Sequence, residues 1–172
     1  MNLESRVWEF ETSSATVELA AQTLGVRPAR IAKTLSFALG EKCLLIVAAG
    51  DARVDNRKFK DQFAMKAKML APDEVERLTG SEVGGVCPFD LPEGTPVYLD
   101  VSLQRFNTVF PACGSTNSAM EVTCDELFRY SRATAWVDVC KDWEEGVDPV
   151  IDDQPMQELE MTSDGEIALR IR

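Results

Sequence analysis

The turn at residues 84–88 holds the residue types best suited to chemistry in this chain. Its residues are Gly84, Gly85, Val86, Cys87 and Pro88. Glycine allows backbone angles and close approaches that other residues resist, and proline fixes the direction in which the chain leaves. Such a turn can aim several backbone N–H groups at one point, where a developing oxyanion or a phosphate would be stabilised. Adjacent glycines also occur in ordinary loops, so the pair alone leaves both interpretations open.

Two other groups of residues favour the chemical interpretation. Lys33 lies upstream in Ile31–Leu35, where the sequence predicts that it follows a short helical run. A second turn of small residues, which includes Gly114 and Ser115, lies downstream. A lysine amine would bring a compact positive charge to a phosphate or a transition state, although most lysines are ordinary surface residues.

The absence of histidine restricts the possible chemistry most strongly. The chain contains no histidine, so neither a Ser-His nor a Cys-His pair can form, and hydrolysis would proceed without an imidazole base. The five cysteines are odd in number, widely spaced and without a CxxC pair, which argues against a disulfide framework and a zinc site. We therefore expect no metal ion and no other cofactor. Cys87 could still serve as a nucleophile, with packing as the alternative role.

Hydrophobic periodicity and turn residues predict the elements that must position these groups. Helices are predicted from a cap at Ser13, Ser14 or Thr16 to Gly25, from Pro28 through Ala32, and over residues 56–68, 71–79 and 124–130. Strands are predicted over residues 34–39, 43–48, 96–101, 108–112, 119–123 and 133–139. Short strands mixed with helices predict an α/β or α+β domain with a mixed, largely antiparallel sheet.

Charge is distributed unevenly along the 172 residues. The formal net charge is −11, yet residues 27–68 hold ten basic and four acidic residues, a local balance of +6. This segment could form a phosphate-facing patch, and a solvated helix face is the alternative. The sequence shows neither a signal peptide nor the roughly 18-residue apolar run of a membrane span, so we expect a cytoplasmic location.

The composition changes after the first 140 residues. Residues 1–140 are predicted to form the functional domain, and residues 141–172 an acidic C-terminal extension. Within the extension, residues 159–162 and 167–171 predict a β-hairpin around Ser163–Gly165. We expect this hairpin to extend the sheet or to cover one of its edges.

The order of the pieces resembles the YbaK/aminoacyl-tRNA-synthetase-associated domain family, free-standing and inserted editing domains that deacylate mischarged tRNA. The pieces are Leu24-Gly25-Val26, Ile31–Leu35, Ala49-Gly50, Arg53-Val54-Asp55, the helix around Lys58, the glycine turn, Val97–Asp100, the Gly114 turn and Asp125-Glu126-Leu127. The resemblance runs from about Ser13 to Val139, and its specificity lies in the order and spacing of the pieces rather than in any single one. It implies a mixed, partly closed sheet with flanking helices.

The resemblance also implies which residues form the site. The catalytic set is Lys33, Gly84, Gly85, Val86, Cys87 and Gly114, and the substrate-binding set is Thr16, Pro88, Ser115 and Asp138. Family members place a lysine at the position of Lys33, where it is implicated in tRNA binding and catalysis. Asp138 matches a family carboxylate that could orient Lys33 or the substrate amine, and a solvent-facing aspartate at a strand edge is the alternative. Asp100 matches another family carboxylate, which we expect to serve turn structure.

The implied function is a trans-acting deacylase that clears a small amino acid from a mischarged tRNA, with tRNA for proline as the commonest family theme. Without histidine, the substrate's own ribose hydroxyl or amino acid group would activate or orient the water. The partner would be the tRNA acceptor end, and an aminoacyl-tRNA synthetase is a further candidate. The oligomeric state stays open. The alternatives are a non-catalytic module that binds aminoacyl-tRNA or a synthetase, and a hydrolase that uses Cys87.

Two departures from the family pattern bear on the choice of amino acid. Many relatives have a Gly-Gly-x-Arg-Gly type of turn where this chain has residues 114–118, Gly-Ser-Thr-Asn-Ser. Some relatives carry an aromatic residue where this chain has Thr16. Because both positions are expected to shape the pocket, the sequence does not fix which amino acid is removed.

Overall fold

A computed structural model describes residues 4–143 together with two later strands, at 158–161 and 167–170. Its helices are α1 (Val17–Leu24), α2 (Asn56–Phe63), α3 (Pro72–Thr79) and α4 (Cys124–Tyr130). Its strands are β1 (Val7–Glu9), β2 (Ile31–Leu39), β3 (Lys42–Ala49), β4 (Arg53–Val54), β5 (Val97–Asp100), β6 (Thr108–Pro111), β7 (Ser118–Met120), β8 (Val122–Thr123), β9 (Ala135–Val137), β10 (Cys140–Lys141), β11 (Glu158–Met161) and β12 (Ile167–Arg170). Short 3₁₀ helices span Glu4–Arg6, Pro28–Arg30 and Val101–Arg105.

A six-stranded mixed sheet, in the order β8-β6-β2-β3-β5-β9, forms the centre of the fold. β2 and β3 form an antiparallel hairpin, β6 joins β2 in parallel, and β5 and β9 extend the other side in parallel. β8 pairs antiparallel with β6, and three two-stranded ladders, β1–β7, β4–β10 and β11–β12, are antiparallel too. The predicted α+β fold with a mixed sheet is confirmed. Three of the five pairings within the six-stranded sheet are parallel, and antiparallel pairings predominate, five to three, over all ladders of the described residues.

The composition of β3 explains why it lies at the centre of the sheet. Every residue from Cys43 to Ala49 is buried, because β3 has strands on both sides and packed elements on both faces. A continuous apolar run is typical of such a strand. The turn before it contains Gly40, whose φ of +59° suits glycine better than any other residue.

Helix α1 begins and ends where the sequence predicts. The Thr16 side chain accepts a hydrogen bond from the N–H of Leu19 at 3.2 Å, which caps the start of the helix. Gly25 ends the helix in the left-handed region, at φ 66°. The apolar side of α1 packs on β2 and β6 through Ala20, Leu24 and their neighbours.

The prediction of a helix that continues through Ile31 and Ala32 is wrong. The helical turn stops at Arg30, and Ile31 and Ala32 already pair with Phe110 and Pro111 of β6. Lys33 therefore lies within a strand rather than after a helix. The cause is tertiary: pairing with β6 extends β2 toward its N-terminus beyond what the local pattern indicates.

The predicted helix over residues 56–68 is also too long. It ends at Phe63, and Ala64 adopts a left-handed φ of 56°. The chain then runs extended beside β2, where Ala38 N–H donates to Lys68 C=O at 2.8 Å and Leu70 N–H donates to Ser36 C=O at 3.1 Å. These bonds satisfy backbone groups that the edge of β2 would otherwise leave unpaired.

The last two predicted strands of the domain are shorter than expected. The strand over 119–123 is interrupted at Glu121, which separates β7 from β8 and accepts a hydrogen bond from the Thr108 hydroxyl at 2.6 Å. The strand over 133–139 is confined to β9. None of the helices in the described part of the chain has the length and apolar character to cross a bilayer.

The C-terminal hairpin is described only through its strands. β11 and β12 pair antiparallel, with Glu158 opposite Arg170 and Met161 opposite Ile167. Residues 144–157 and 162–166 lie outside the described residues. The division at residue 140 and the role of the extension at the sheet therefore stay predictions.

Candidate active site

A cavity of about 330 Å³ lies at the edge of β2. Strand β6 pairs with β2 only at Ile31 and Ala32, and the next contact on that edge is the bridge between Phe37 and Met69. Residues 33–36 lie between these two contacts, and all four line the cavity. Because the cavity surrounds the strand edge, side chains from both faces of β2 reach it.

The Lys33 amine is held beside the cavity by backbone carbonyl groups. Its Nζ donates to the carbonyl oxygen of Gly50 at 3.2 Å and also to that of Ala52. Burial lowers the pKa of Lys33, while the nearby charge of Asp51 acts in the opposite direction. The two carbonyl acceptors fix the position of the amine, and its remaining N–H group is available to a ligand.

The loop that carries these carbonyl groups is supported by a partly buried ion pair. Arg105 Nη1 and Nη2 lie 2.9 and 2.5 Å from the two carboxylate oxygens of Asp51. The Arg105 side chain is only 7% exposed and lies between the rings of Phe106 and Trp143, whose centroids are 4.9 and 5.0 Å away. A bidentate pair of this kind fixes orientation as well as position, so it supports the loop that holds Lys33.

The glycine turn has two backbone N–H groups without a partner in the described part of the chain, and both belong to residues that line the cavity. Gly85 N–H donates to Glu82 C=O at 3.0 Å, and Cys87 N–H donates to the Ser81 hydroxyl at 3.4 Å. Within the described residues, the N–H groups of Gly84 and Val86 have no hydrogen-bond partner. Gly84 and Val86 are also the two members of the predicted catalytic turn that line the cavity.

The two small-residue turns pack directly against each other. A Cβ atom at Gly85 would lie 2.6 Å from the carbonyl carbon of Ser115 and 2.8 Å from its oxygen. The Thr116 N–H donates to the Glu82 carboxylate at 2.8 Å, which ties the turns together a second time. This close backbone approach requires glycine at position 85.

The structure brings together four of the predicted site residues. Thr16, Lys33, Gly84 and Val86 line the cavity, and the contact between Gly85 and Ser115 lies behind it. The Thr16 hydroxyl already serves as the cap of α1.

The predicted site residues Cys87 and Gly114 lie elsewhere. Both line a neighbouring cavity of about 770 Å³, together with Phe89 and Met120. Pro88 is buried and lines neither cavity. The expectation that Gly114 shares a cleft with Lys33 is therefore not what the structure shows.

The two predicted carboxylates lie outside the cavity. Asp138 is 58% exposed, and its Oδ1 accepts a hydrogen bond from Lys58 Nζ at 2.8 Å, as a solvent-facing aspartate at a strand edge would. Asp100 is buried, and it accepts hydrogen bonds from the N–H groups of Ser102 at 3.0 Å and Val139 at 2.9 Å. Asp100 thus stabilises the local backbone, as the sequence indicates.

Among the described polar cavity residues that the sequence analysis did not place in the site, Thr34 is the one with an unpartnered buried side chain. The Thr34 hydroxyl oxygen is buried, and it has no hydrogen-bond partner within the described residues. It lies next to Lys33 in the chain and lines the same cavity. Threonine in a strand is ordinary, so only the uncovered edge of β2 distinguishes this position. A buried hydroxyl without a partner is costly unless a ligand or water satisfies it.

One end of the cavity is apolar. It is formed by side chains of α1, β2, β6 and β7, which also pack into a small hydrophobic cluster. These residues are Val17, Ala20, Leu24, Ile31, Phe110 and Ala119. The site therefore combines a compact apolar end with a polar wall of lysine, threonine and main-chain N–H groups. Cavities that bind small molecules commonly have this composition.

Comparison with known proteins identifies this mixed sheet and its cavity as an editing domain. The aminoacyl-tRNA editing domain family matches residues 11–130. The chain belongs to this family, so the resemblance inferred from the sequence is confirmed. It is 61% identical over 144 residues to the uncharacterised protein YwhH of Bacillus subtilis (strain 168), covering 83% of this chain and 92% of YwhH.

Two further relatives are linked to proline-specific synthetases. A crystal structure of a candidate trans-editing enzyme for prolyl-tRNA synthetase has a TM-score of 0.72 and 30% identity, covering 81% of this chain and 92% of that one. The proline–tRNA ligase of Aquifex aeolicus (strain VF5) is 33% identical over 90 residues, which are 51% of this chain and only 16% of the ligase. The family and these neighbours support an editing function that acts on tRNA.

Proposed function

We propose that this protein is an aminoacyl-tRNA deacylase that acts in trans. It hydrolyses the ester between a small amino acid and the terminal ribose of a mischarged tRNA. The observation that supports this proposal is that one cavity is lined by Lys33, by Gly84 and Val86 with their unpartnered N–H groups, and by Thr34 with its unpartnered hydroxyl.

The N–H groups of Gly84 and Val86 are suited to stabilise the oxyanion that forms when water attacks the ester carbonyl. A well-placed donor of this kind contributes about 3 kcal/mol to the stability of the transition state. Lys33 adds a fixed positive charge, either to the same oxygen or to the terminal phosphate or ribose. Because the ester is already activated, placing the water and stabilising the charge supply most of what the reaction needs.

The attacking water has no evident protein base. Among the described residues that line the cavity there is no carboxylate and no histidine. The thiol of Cys87 lies in the neighbouring cavity. A ribose hydroxyl or the amino group of the substrate would therefore orient or deprotonate the water, as the family resemblance implies.

The apolar end of the cavity favours a small apolar amino acid. Val17, Leu24 and Phe110 leave a compact space, and the neighbouring alanines add no polar group. A polar substrate side chain would lose its hydrogen bonds to water there without replacement. Similarity to a trans-editing enzyme and to proline–tRNA ligases makes tRNA for proline the first substrate to examine.

The proposed function is tested with a matrix of tRNAs charged with different amino acids. The purified protein should release the amino acid from at least one mischarged tRNA, with small apolar residues removed fastest. The alternative is a binding module, which would bind charged tRNA without turnover anywhere in the matrix. That result would overturn the proposed deacylase.

A thiol mechanism predicts a different outcome at Cys87. Burial raises the pKa of the Cys87 thiol to about 11, so the thiol is protonated at neutral pH. We expect Cys87→Ser to retain kcat/KM within about twofold, because serine is nearly isosteric and the thiol takes no part. Deacylation kinetics of this variant, with and without prior alkylation of the wild type, provide the check. Abolished activity in Cys87→Ser would restore the thiol mechanism.

A further inference from the structure

We propose that the mouth of the cavity is a binding surface for the 3′-terminal nucleotides of RNA. The terminal base lies against Met69 and Val83, and the preceding phosphates lie on Lys66 and Lys68. This inference rests on the proposed function, because it names the part of the chain that holds the tRNA end while the ester lies inside the cavity.

Apolar side chains are exposed at the mouth. Met69 is 58% exposed and Val83 is 54% exposed, and both line the cavity. They are two of the four large hydrophobic side chains that are exposed within the described residues. A planar base can cover such a surface, and the thioether of methionine makes favourable contacts with aromatic rings.

The segment before Met69 is held rigidly against the sheet. Hydrogen bonds from Ala38 N–H to Lys68 C=O, 2.8 Å, and from Leu70 N–H to Ser36 C=O, 3.1 Å, attach it to β2 on either side of Met69. The exposed surface is therefore fixed in position relative to the cavity. A preformed surface loses less conformational entropy when a flexible RNA end binds.

Two exposed lysines precede Met69 in the chain. Residues 65–68 alternate, with Met65 and Ala67 packed on the core while Lys66 and Lys68 are exposed. Within the described residues neither lysine is in an ion pair, whereas Lys58 is paired with Asp138 and Lys141 with Asp55. Two unpaired amines, one and three residues before the cavity-lining Met69 on a chain of net charge −11, provide a local site for phosphate groups.

The carboxylates of two neighbouring residues form no ion pair with Lys66 or Lys68 within the described residues. Glu82, next to Val83, accepts a hydrogen bond from Thr116 N–H at 2.8 Å. Glu74, in the first turn of α3, accepts one from Ala71 N–H at 3.2 Å and lies 3.9 Å from Arg77. A phosphodiester chain with one apolar base matches this combination of amines and apolar surface better than an acidic peptide would.

The test compares two substrates of different length. Steady-state kinetics are measured on a mischarged tRNA and on the corresponding 3′-aminoacyl-adenosine, which has the base but no phosphates. Lys66→Glu combined with Lys68→Glu should raise KM for the tRNA by roughly tenfold, with kcat nearly unchanged and no effect on aminoacyl-adenosine. Met69→Ala should raise KM roughly threefold or more for both substrates.

The control is Arg132→Glu, which reverses one exposed charge before β9, at the opposite edge of the sheet, and it is compared with Lys66→Glu alone and Lys68→Glu alone as well as with the double variant. A fluorescein-labelled RNA oligonucleotide ending in CCA gives a second measurement by anisotropy, independent of turnover. When both lysines are reversed, the slope of log affinity against log salt concentration should become less negative by roughly 1.4.

The outcomes separate this inference from the proposed function. If wild type deacylates the tRNA and the lysine variant has the same KM as the Arg132 control, the proposed RNA-binding surface is wrong and the proposed function stands. Absence of deacylation, with oligonucleotide binding that the lysine variant weakens, would support the surface and overturn the function. If wild type is instead a dimer that Met69→Ala dissociates, and the oligonucleotide does not bind, the surface joins two copies of this chain and the inference is wrong.

Discussion

Lys33→Ala is expected to lower kcat/KM for a mischarged tRNA at least tenfold, which corresponds to about 1.4 kcal/mol of transition-state stabilisation. The amine lies at the cavity wall and is held by the carbonyl groups of Gly50 and Ala52, so alanine removes a charge that is already oriented. Single-turnover deacylation with wild type and variant provides the measurement. Full activity in the variant would remove Lys33 from the mechanism.

The matched control for this variant is Lys58→Ala. Lys58 also donates to a backbone carbonyl, that of Cys140 at 3.0 Å, and to Asp138, but it does not line the cavity. Loss of the Lys58 side chain should therefore leave kcat/KM within about twofold of wild type. An equal fall in both variants would indicate a general electrostatic effect rather than a role for Lys33 at the ester.

The dependence of the rate on pH gives an independent test of the same amine. Burial lowers the pKa of Lys33, so the ammonium form is lost at a lower pH than for an exposed lysine. If the charged form is needed, the rate falls as pH rises through this lowered pKa. The fall should be absent from the residual activity of Lys33→Ala. Because spontaneous ester hydrolysis accelerates with alkali, each measurement needs subtraction of the rate without enzyme.

The sequence predicts the fold well because most of its signals are local. The cap at Thr16, the stop at Gly25 and the apolar run of β3 determine their elements without reference to distant residues. Errors arise where a distant strand edge decides the outcome. Pairing with β6 converts Ile31 and Ala32 to strand, and residues 64–68 leave the expected helix because the chain there continues into contact with the edge of β2.

The same distinction applies to the candidate site. The order of motifs singles out Lys33 and the glycine turn, and Lys33, Gly84 and Val86 line one cavity, although their catalytic roles stay predictions. Thr34 is missed, since its importance depends on the uncovered edge of β2 and not on any local pattern. Asp138 pairs with Lys58, which lies 80 residues earlier in the chain, and no local sequence pattern predicts that pairing.

Gly85→Ala should reduce kcat/KM by roughly a hundredfold, because displacement of a catalytic group by about 1 Å can cost this much. A Cβ atom here would lie 2.6 and 2.8 Å from the carbonyl carbon and oxygen of Ser115, so the two turns must separate. That separation moves the N–H groups of Gly84 and Val86, on either side of the substitution, away from the ester. Gly85 does not have a positive φ, so alanine introduces no backbone strain of its own.

The control for Gly85→Ala is Gly94→Ala, which has the opposite combination of properties. Gly94 has a φ of +82°, so alanine there is strained, but no atom lies within 4 Å of its added Cβ. Gly94 does not line the cavity. Gly94→Ala should therefore lose stability, by about 1–2 kcal/mol in chemical denaturation, and keep its rate. Gly85→Ala should lose its rate while retaining a native far-ultraviolet circular dichroism spectrum. If both variants deacylate at the wild-type rate, the close packing of the two turns does not position the oxyanion donors, and the turn at Gly84 and Gly85 serves the fold alone.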